Sequence, residues 1–220
     1  MNKKFVGLFL AALAFSTNAM PMAPATCKLF EAAKKGDVVL AIELIKQDAD
    51  VNAFNVNNKT LLHFAAQNGY DELTALLLKN GAEVSPVDVS GFTPLHYAAC
   101  EGHTECVRAL TVKKADVNAI ANNGATPLNL AITDGYKECV EILLAAGANP
   151  ILAPCAGTYK YLMPEEIARK RGHEDIGDIL LKACEKWEKE IEDTLDKDSE
   201  EELNASIWTA CFNCCGCSVQ

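Results

Sequence analysis

The feature that most constrains this chain is a sequence that returns every 33 residues. Thr60-Leu61-Leu62-His63-Phe64-Ala65-Ala66 recurs as Thr93-Pro94-Leu95-His96-Tyr97-Ala98-Ala99, and again as Thr126-Pro127-Leu128-Asn129-Leu130-Ala131-Ile132. Gly69, Gly102 and Gly135 follow at one fixed offset, and Leu77, Leu110 and Leu143 at another. One register back stand Ala32-Ala33, Gly36 and Leu44. After a four-residue insertion, Pro164, Ala168, Gly172, His173 and Leu180 continue the pattern, making five units. Thr-Pro opens a helix well, because proline has no N–H to lose in the first turn and its φ is already helical. The paired alanines let that helix approach its neighbours closely, and the glycine predicts a stop with positive φ. A second helix carries apolar residues at helical spacing, as in Cys106, Val107 and Leu110 or Cys139, Val140, Leu143 and Leu144. Gly81-Ala82 and Gly147-Ala148 then turn the chain into an extended finger. One such helix pair cannot bury its own apolar faces, whereas a stack of five can.

The block Thr93 to Ala99 is a nearly intact T-P-L-H-x-A-A signature, and on it the chain resembles the ankyrin repeat family over about residues 27–184. The resemblance implies an all-α solenoid of stacked helix-turn-helix units with finger loops, the units starting near 27, 60, 93, 126 and 163. It also implies that His63 and His96 bridge backbone groups of adjacent units. In this family the finger tips and the exposed side of the inner helices form a concave face that grips protein partners. Carried over by register, the finger positions are Phe54, Val56 and Lys59, then Val87, Val89 and Phe92, then Ile120, Asn122 and Ala125. The inner-helix positions are Gln67-Asn68, Cys100-Glu101 and Thr133-Asp134. Six of the nine finger positions are large and apolar, although fingers are ordinarily solvated. An apolar stripe rimmed by polar and acidic residues is what a protein-docking face looks like. The competing reading packs the same side chains between neighbouring fingers.

Catalytic chemistry finds little support. All four histidines fall in repeat register, and Cys106 and Cys139 occupy equivalent apolar positions, as small core residues do. There is no glycine-rich phosphate loop, nucleophile elbow or zinc-binding helix motif, and Glu165-Glu166 have no matching acid elsewhere. The expectation is a non-enzyme with no catalytic residue, cofactor or metal. A formal net charge of −10 over 220 residues argues against nucleic acid, since neutralising phosphates needs clustered Lys and Arg. The expected partner is therefore a protein, bound by a monomer.

The two ends differ from the array. Lys3 and Lys4 precede an apolar run from Phe5 to Phe15, and small residues lead to a cut between Ala19 and Met20. Residues 1–19 read as a secretory signal, 20–26 as a Pro/Ala linker, and the protein as periplasmic or secreted. Residues 185–203 form an acidic helix or linker, in which Trp187, Ile191 and Leu195 recur every four residues. Such Glu-rich segments also resemble C-terminal export signals of effectors from intracellular bacteria. The tail, 204–220, holds Cys211, Cys214, Cys215 and Cys217. Three readings stay open for it. Cys-Ser-Val-Gln fits a prenylation box at Cys217, with the other three cysteines suited to palmitoylation, which would tether the protein to a host-cell membrane. Disulfides in an oxidising compartment are the second reading, and a thiolate site for a soft metal the third. The insertion 152–161 reads as a plain loop.

Overall fold

The computed structural model describes residues 24–152 and 162–194. The expected leader with its cut between Ala19 and Met20, the loop 153–161, the acidic residues 195–203 and the cysteine tail lie outside the described residues. The helices form five helix-turn-helix pairs: α1 (Pro24–Lys35) with α2 (Val38–Ile45), α3 (Leu61–Gln67) with α4 (Asp71–Lys79), α5 (Pro94–Cys100) with α6 (Thr104–Val112), α7 (Pro127–Asp134) with α8 (Lys137–Ala145), and α9 (Pro164–Lys170) with α10 (Glu174–Thr194). The odd-numbered helices pack in sequence as an inner row and the even-numbered ones as an outer row. Among the described residues there is no strand; one isolated antiparallel bridge, Phe54 to Thr60, closes the first finger. The architecture is the all-α solenoid that the repeats predict.

Two boundaries differ in detail. The linker expected over 20–26 is cut short, because Pro24, Ala25 and Thr26 form the first turn of α1. Thr26 is buried there, and its Oγ1 accepts a hydrogen bond from the Asp50 N–H at 3.2 Å, which ties the first turn to the chain leaving α2. At the other end the acidic segment is helical as far as Thr194, so α10 has 21 residues where the other outer helices have eight or nine.

The core is a ladder of small and branched residues contributed once per unit. Ala32-Ala33, Ala65-Ala66, Ala98-Ala99, Ala131 and Ala168 are buried along the inner row, and Leu44, Leu77, Leu110, Leu143 and Leu180 along the outer row. Alanine keeps successive inner helices close, so that the polar bridges between units are short enough to form. In unit two, the Thr60 N–H donates to His63 Nδ1 at 3.0 Å, and His63 Nε2–H donates to the Phe92 carbonyl at 3.0 Å. In unit three, the Thr93 N–H donates to His96 Nδ1 at 3.1 Å, and His96 Nε2–H donates to the Ala125 carbonyl at 3.1 Å. Each ring caps its own helix and holds the next finger against it. In unit four Asn129 keeps half of this: Nδ2 donates to the Leu152 carbonyl at 3.0 Å, while buried Oδ1 has no partner. The shorter side chain cannot span both ends.

A second interlock uses the glycine that ends each of the first four inner helices. Gly102 has φ +71°, and a Cβ there would run into the Tyr136 ring of the next unit. Gly69 stands in the same relation to His103, whose Nε2 bonds the Gln67 carbonyl at 3.2 Å. Glycine thus serves both the left-handed turn and the close approach of the following ring. Gly102→Ala should lower stability by about 2 kcal/mol or more, read as a fall in the denaturation midpoint.

The histidine bridges set a pH dependence. Burial pushes the pKa of His63 and His96 below the ordinary value of 6.5, outweighing the hydrogen bonds to the Phe92 and Ala125 carbonyls, which act the other way. As pH falls below about 6.5, the unfolded chain takes up protons that the folded chain refuses. The stabilisation is complete above that value and is lost as pH falls toward the lowered folded values. The urea midpoint should therefore drop between about pH 7.5 and 5.5, and His96→Asn should remove about half of that drop while lowering the midpoint at neutral pH.

Candidate functional site

The second and third fingers are fixed from three sides before any surface is presented. From behind, the histidine bridges hold Phe92 and Ala125, the last residues of the second and third fingers. Laterally, the Val89 N–H donates to the Asn57 carbonyl at 3.1 Å and the Asn122 N–H to the Ser90 carbonyl at 3.0 Å, so successive tips lie side by side. At the far edge, Asn52 spans to the next unit through the Gly81 carbonyl and the Glu83 N–H, as Asn118 does through Gly147 and Asn149. Within the second finger, buried Asp88 accepts from the Ser90 and Phe92 N–H groups at 2.8 and 3.0 Å and from the Tyr97 hydroxyl at 2.7 Å. Burial alone would raise the Asp88 carboxyl pKa; the donors from Tyr97, Phe92 and Ser90 outweigh it and hold the group below the usual carboxylate range. Burial and this hydrogen bond push Tyr97 strongly upward, so its proton stays in place.

On this frame the expected site residues separate into two groups. Val56 is 88% exposed, Phe54 59%, Val89 58%, Val87 57% and Ile120 40%, so these five do not pack between fingers. Glu101 is also exposed, at the end of α5. Phe92 departs from the expectation of an open contact residue. It is half-buried, with its ring 5.5 Å from Tyr97 and 5.1 Å from His96, because the finger folds it back onto α5. Lys59 and Gln67 hold each other: Lys59 Nζ reaches Gln67 Oε1 at 3.4 Å and lies 4.1 Å above the Tyr97 ring. Asn122 exposes its side chain but spends Nδ2 on the Val89 carbonyl at 3.1 Å. Asp134 Oδ1 is 3.7 Å from Arg171 Nη2, and Arg171 Nε donates to the Thr133 carbonyl at 2.8 Å.

Tyr97 organises this face, although the register of finger positions does not reach it. It gathers Lys59, Asp88 and Phe92 onto α5. Its place in the repeat block is held by Phe64 and Leu130 in the flanking units, and that variation inside an otherwise constant motif was the available signal.

Chemically the face is quiet. Cys100 is half-buried, and burial followed by the charges of Glu101 and Asp134 raises its thiol pKa. Cys106 is fully buried, its thiol donating to Asp71 Oδ1 at 3.1 Å and pushed up to about 12, first by burial. No group of His, Cys, Asp and Glu that could hold a metal occurs among the described residues.

The family model for ankyrin repeats, present in three copies, matches residues 24–88 and 83–153, starting at the residue where α1 begins. No curated protein sequence matches the chain. The matched span covers more than half of the sequence and coincides with the bridged units, and arrays of this kind are protein–protein interaction modules that typically lack enzymatic activity. The chain belongs to the ankyrin-repeat family.

Proposed function

We propose that the protein is an exported, non-catalytic binding module that grips a protein partner with its finger tips and inner helices. The observation that carries this reading is the exposure of Phe54, Val56, Val87, Val89 and Ile120 on fingers whose backbones are hydrogen-bonded to one another through Val89–Asn57 and Asn122–Ser90. A solenoid gains nothing from valines in water, and a held row of apolar tips costs little ordering entropy when it docks. Glu101, Asp134, Gln67 and Asn122 supply a polar rim on the same side. Export rests on the basic, apolar and small-residue pattern of residues 1–19. Tethering to a host membrane through Cys217 is the alternative supported by the last four residues, and an isoprenoid on the intact mass would identify it.

Val56→Asp with Val89→Asp should weaken capture of the partner by about a hundredfold, measured by titration calorimetry, while the melting temperature stays within experimental error of the parent. Undiminished capture would rule the finger tips out.

A further inference from the structure

The five units act as internal controls for one another, and one helix breaks their rule. The position of Val39 holds Glu72, Glu105, Glu138 and Asp175 in the other four outer helices; that of Val38 holds Asp71, Thr104, Lys137 and Glu174. The position of Ile42 holds Ala75, Arg108, Glu141 and Asp178. In the other units these places are mostly exposed, and only α2 makes all three apolar; Val39 is exposed there, whereas Val38 and Ile42 are half-buried, Val38 against the core. Leu40 adds a fourth. Its equivalents Leu73, Cys106, Cys139 and Ile176 are buried, and Cys106 and Cys139 show where the position points, since they contact Thr74 and Thr104 of the preceding unit. Among the described residues no unit packs against this side of unit one, and Leu40 is 37% exposed and Val39 72%. The inner helix of the same unit is a proper polar cap, with exposed Lys28 where units two to four bury Leu61, Pro94 and Pro127. Terminal units need a polar outer face to stay soluble, and α2 does not have one.

We propose that α2 is a self-association face, covered by α2 of a second copy packed antiparallel about a two-fold axis. Charge placement favours this occupant. Asp37 caps the N-terminal end of α2, its carboxylate accepting the Leu40 N–H at 2.9 Å, and Lys46 stands at the C-terminal end. An antiparallel two-fold therefore sets Asp37 of each copy beside Lys46 of the other and opposes the helix dipoles favourably. Lys28, Lys34 and Lys35 of the same unit are interspersed with Glu31 and Glu43, a mixture of signs that suits a like face better than an anionic lipid or nucleic acid. The chain's own leading segment is the rival. The expected cut after Ala19 leaves Met20 to Ala23, about 13 Å even when fully extended. That stub joins the fold by Thr26 beside Asp50, past the far end of α2 from Val38 and Val39. The proposal rests on that cut and is independent of the finger face. A single eight-residue helix makes a small interface, so the dimer is weak.

The test is sedimentation velocity from low to high micromolar on protein recovered from an exporting host, with its N-terminus fixed by intact mass. A concentration-dependent dimer is expected. Val39→Glu introduces the glutamate that three other units carry, and should weaken the dimer by at least about tenfold while the dilute melting curve is unchanged. Asp37→Asn keeps the cap and removes the charge, and should weaken it several-fold. A monomer at every concentration, a dimer indifferent to Val39→Glu, or a monomer that retains residues 1–19 would each overturn the proposal; indifference to Asp37→Asn would overturn the antiparallel arrangement.

Discussion

The array depends on the seams between successive units. In the two central ones a buried imidazole accepts a backbone N–H on one side and donates to the next finger's carbonyl on the other. A hydrogen bond of this kind contributes only about 1 kcal/mol net, but leaving either backbone group unpaired in a dry seam costs more than that. The bridge therefore acts mainly as a register device. It forms only when the alanine layer brings the helices to one spacing, and once formed it places the finger. Neutral histidine suits the task because it is donor and acceptor at opposite ends of one rigid ring. Asn129 shows the consequence of shortening it, with one end satisfied and a buried oxygen left over.

This division of labour explains how the array can present apolar side chains safely. Neighbouring fingers are linked laterally through Val89–Asn57 and Asn122–Ser90, and the second and third are anchored from behind, so that Val56 and Val89 are presented one per finger at the repeat spacing. Tyr97 adds a local lock in the second finger by joining Asp88, Phe92 and Lys59. Rigid scaffolding behind a variable surface is the general solution for recognition by repeats. The same logic makes α2 conspicuous, because Val39 and Leu40 face outward from it with no described unit against them.

Much of this was legible in the chain alone. A period of 33 with Thr-Pro, Leu-His and Gly at constant offsets specifies helix starts, helix stops and a stack, because each of those residues acts locally through φ, a missing donor or a cap. The five-unit solenoid and the burial of Cys106 and Cys139 follow from that register, and the bridging role of His63 and His96 from the family resemblance it carries. The first boundary was read too late, since Thr26 is drawn into α1 by a bond to Asp50, 24 residues away.

What only the tertiary structure decided is which apolar residues face water. Phe92 and Val89 occupy the same finger and look alike in one dimension. Phe92 turns back onto Tyr97 and His96, whereas Val89 lends only its backbone to its neighbours, because side-chain direction in an irregular turn is set by contacts across units. The same holds for Leu40, whose sequence pattern is that of a buried core position and which is exposed where no described unit packs against it. Local residue types determine the repeating unit; the neighbours, or their absence, determine what each copy of it shows to the outside.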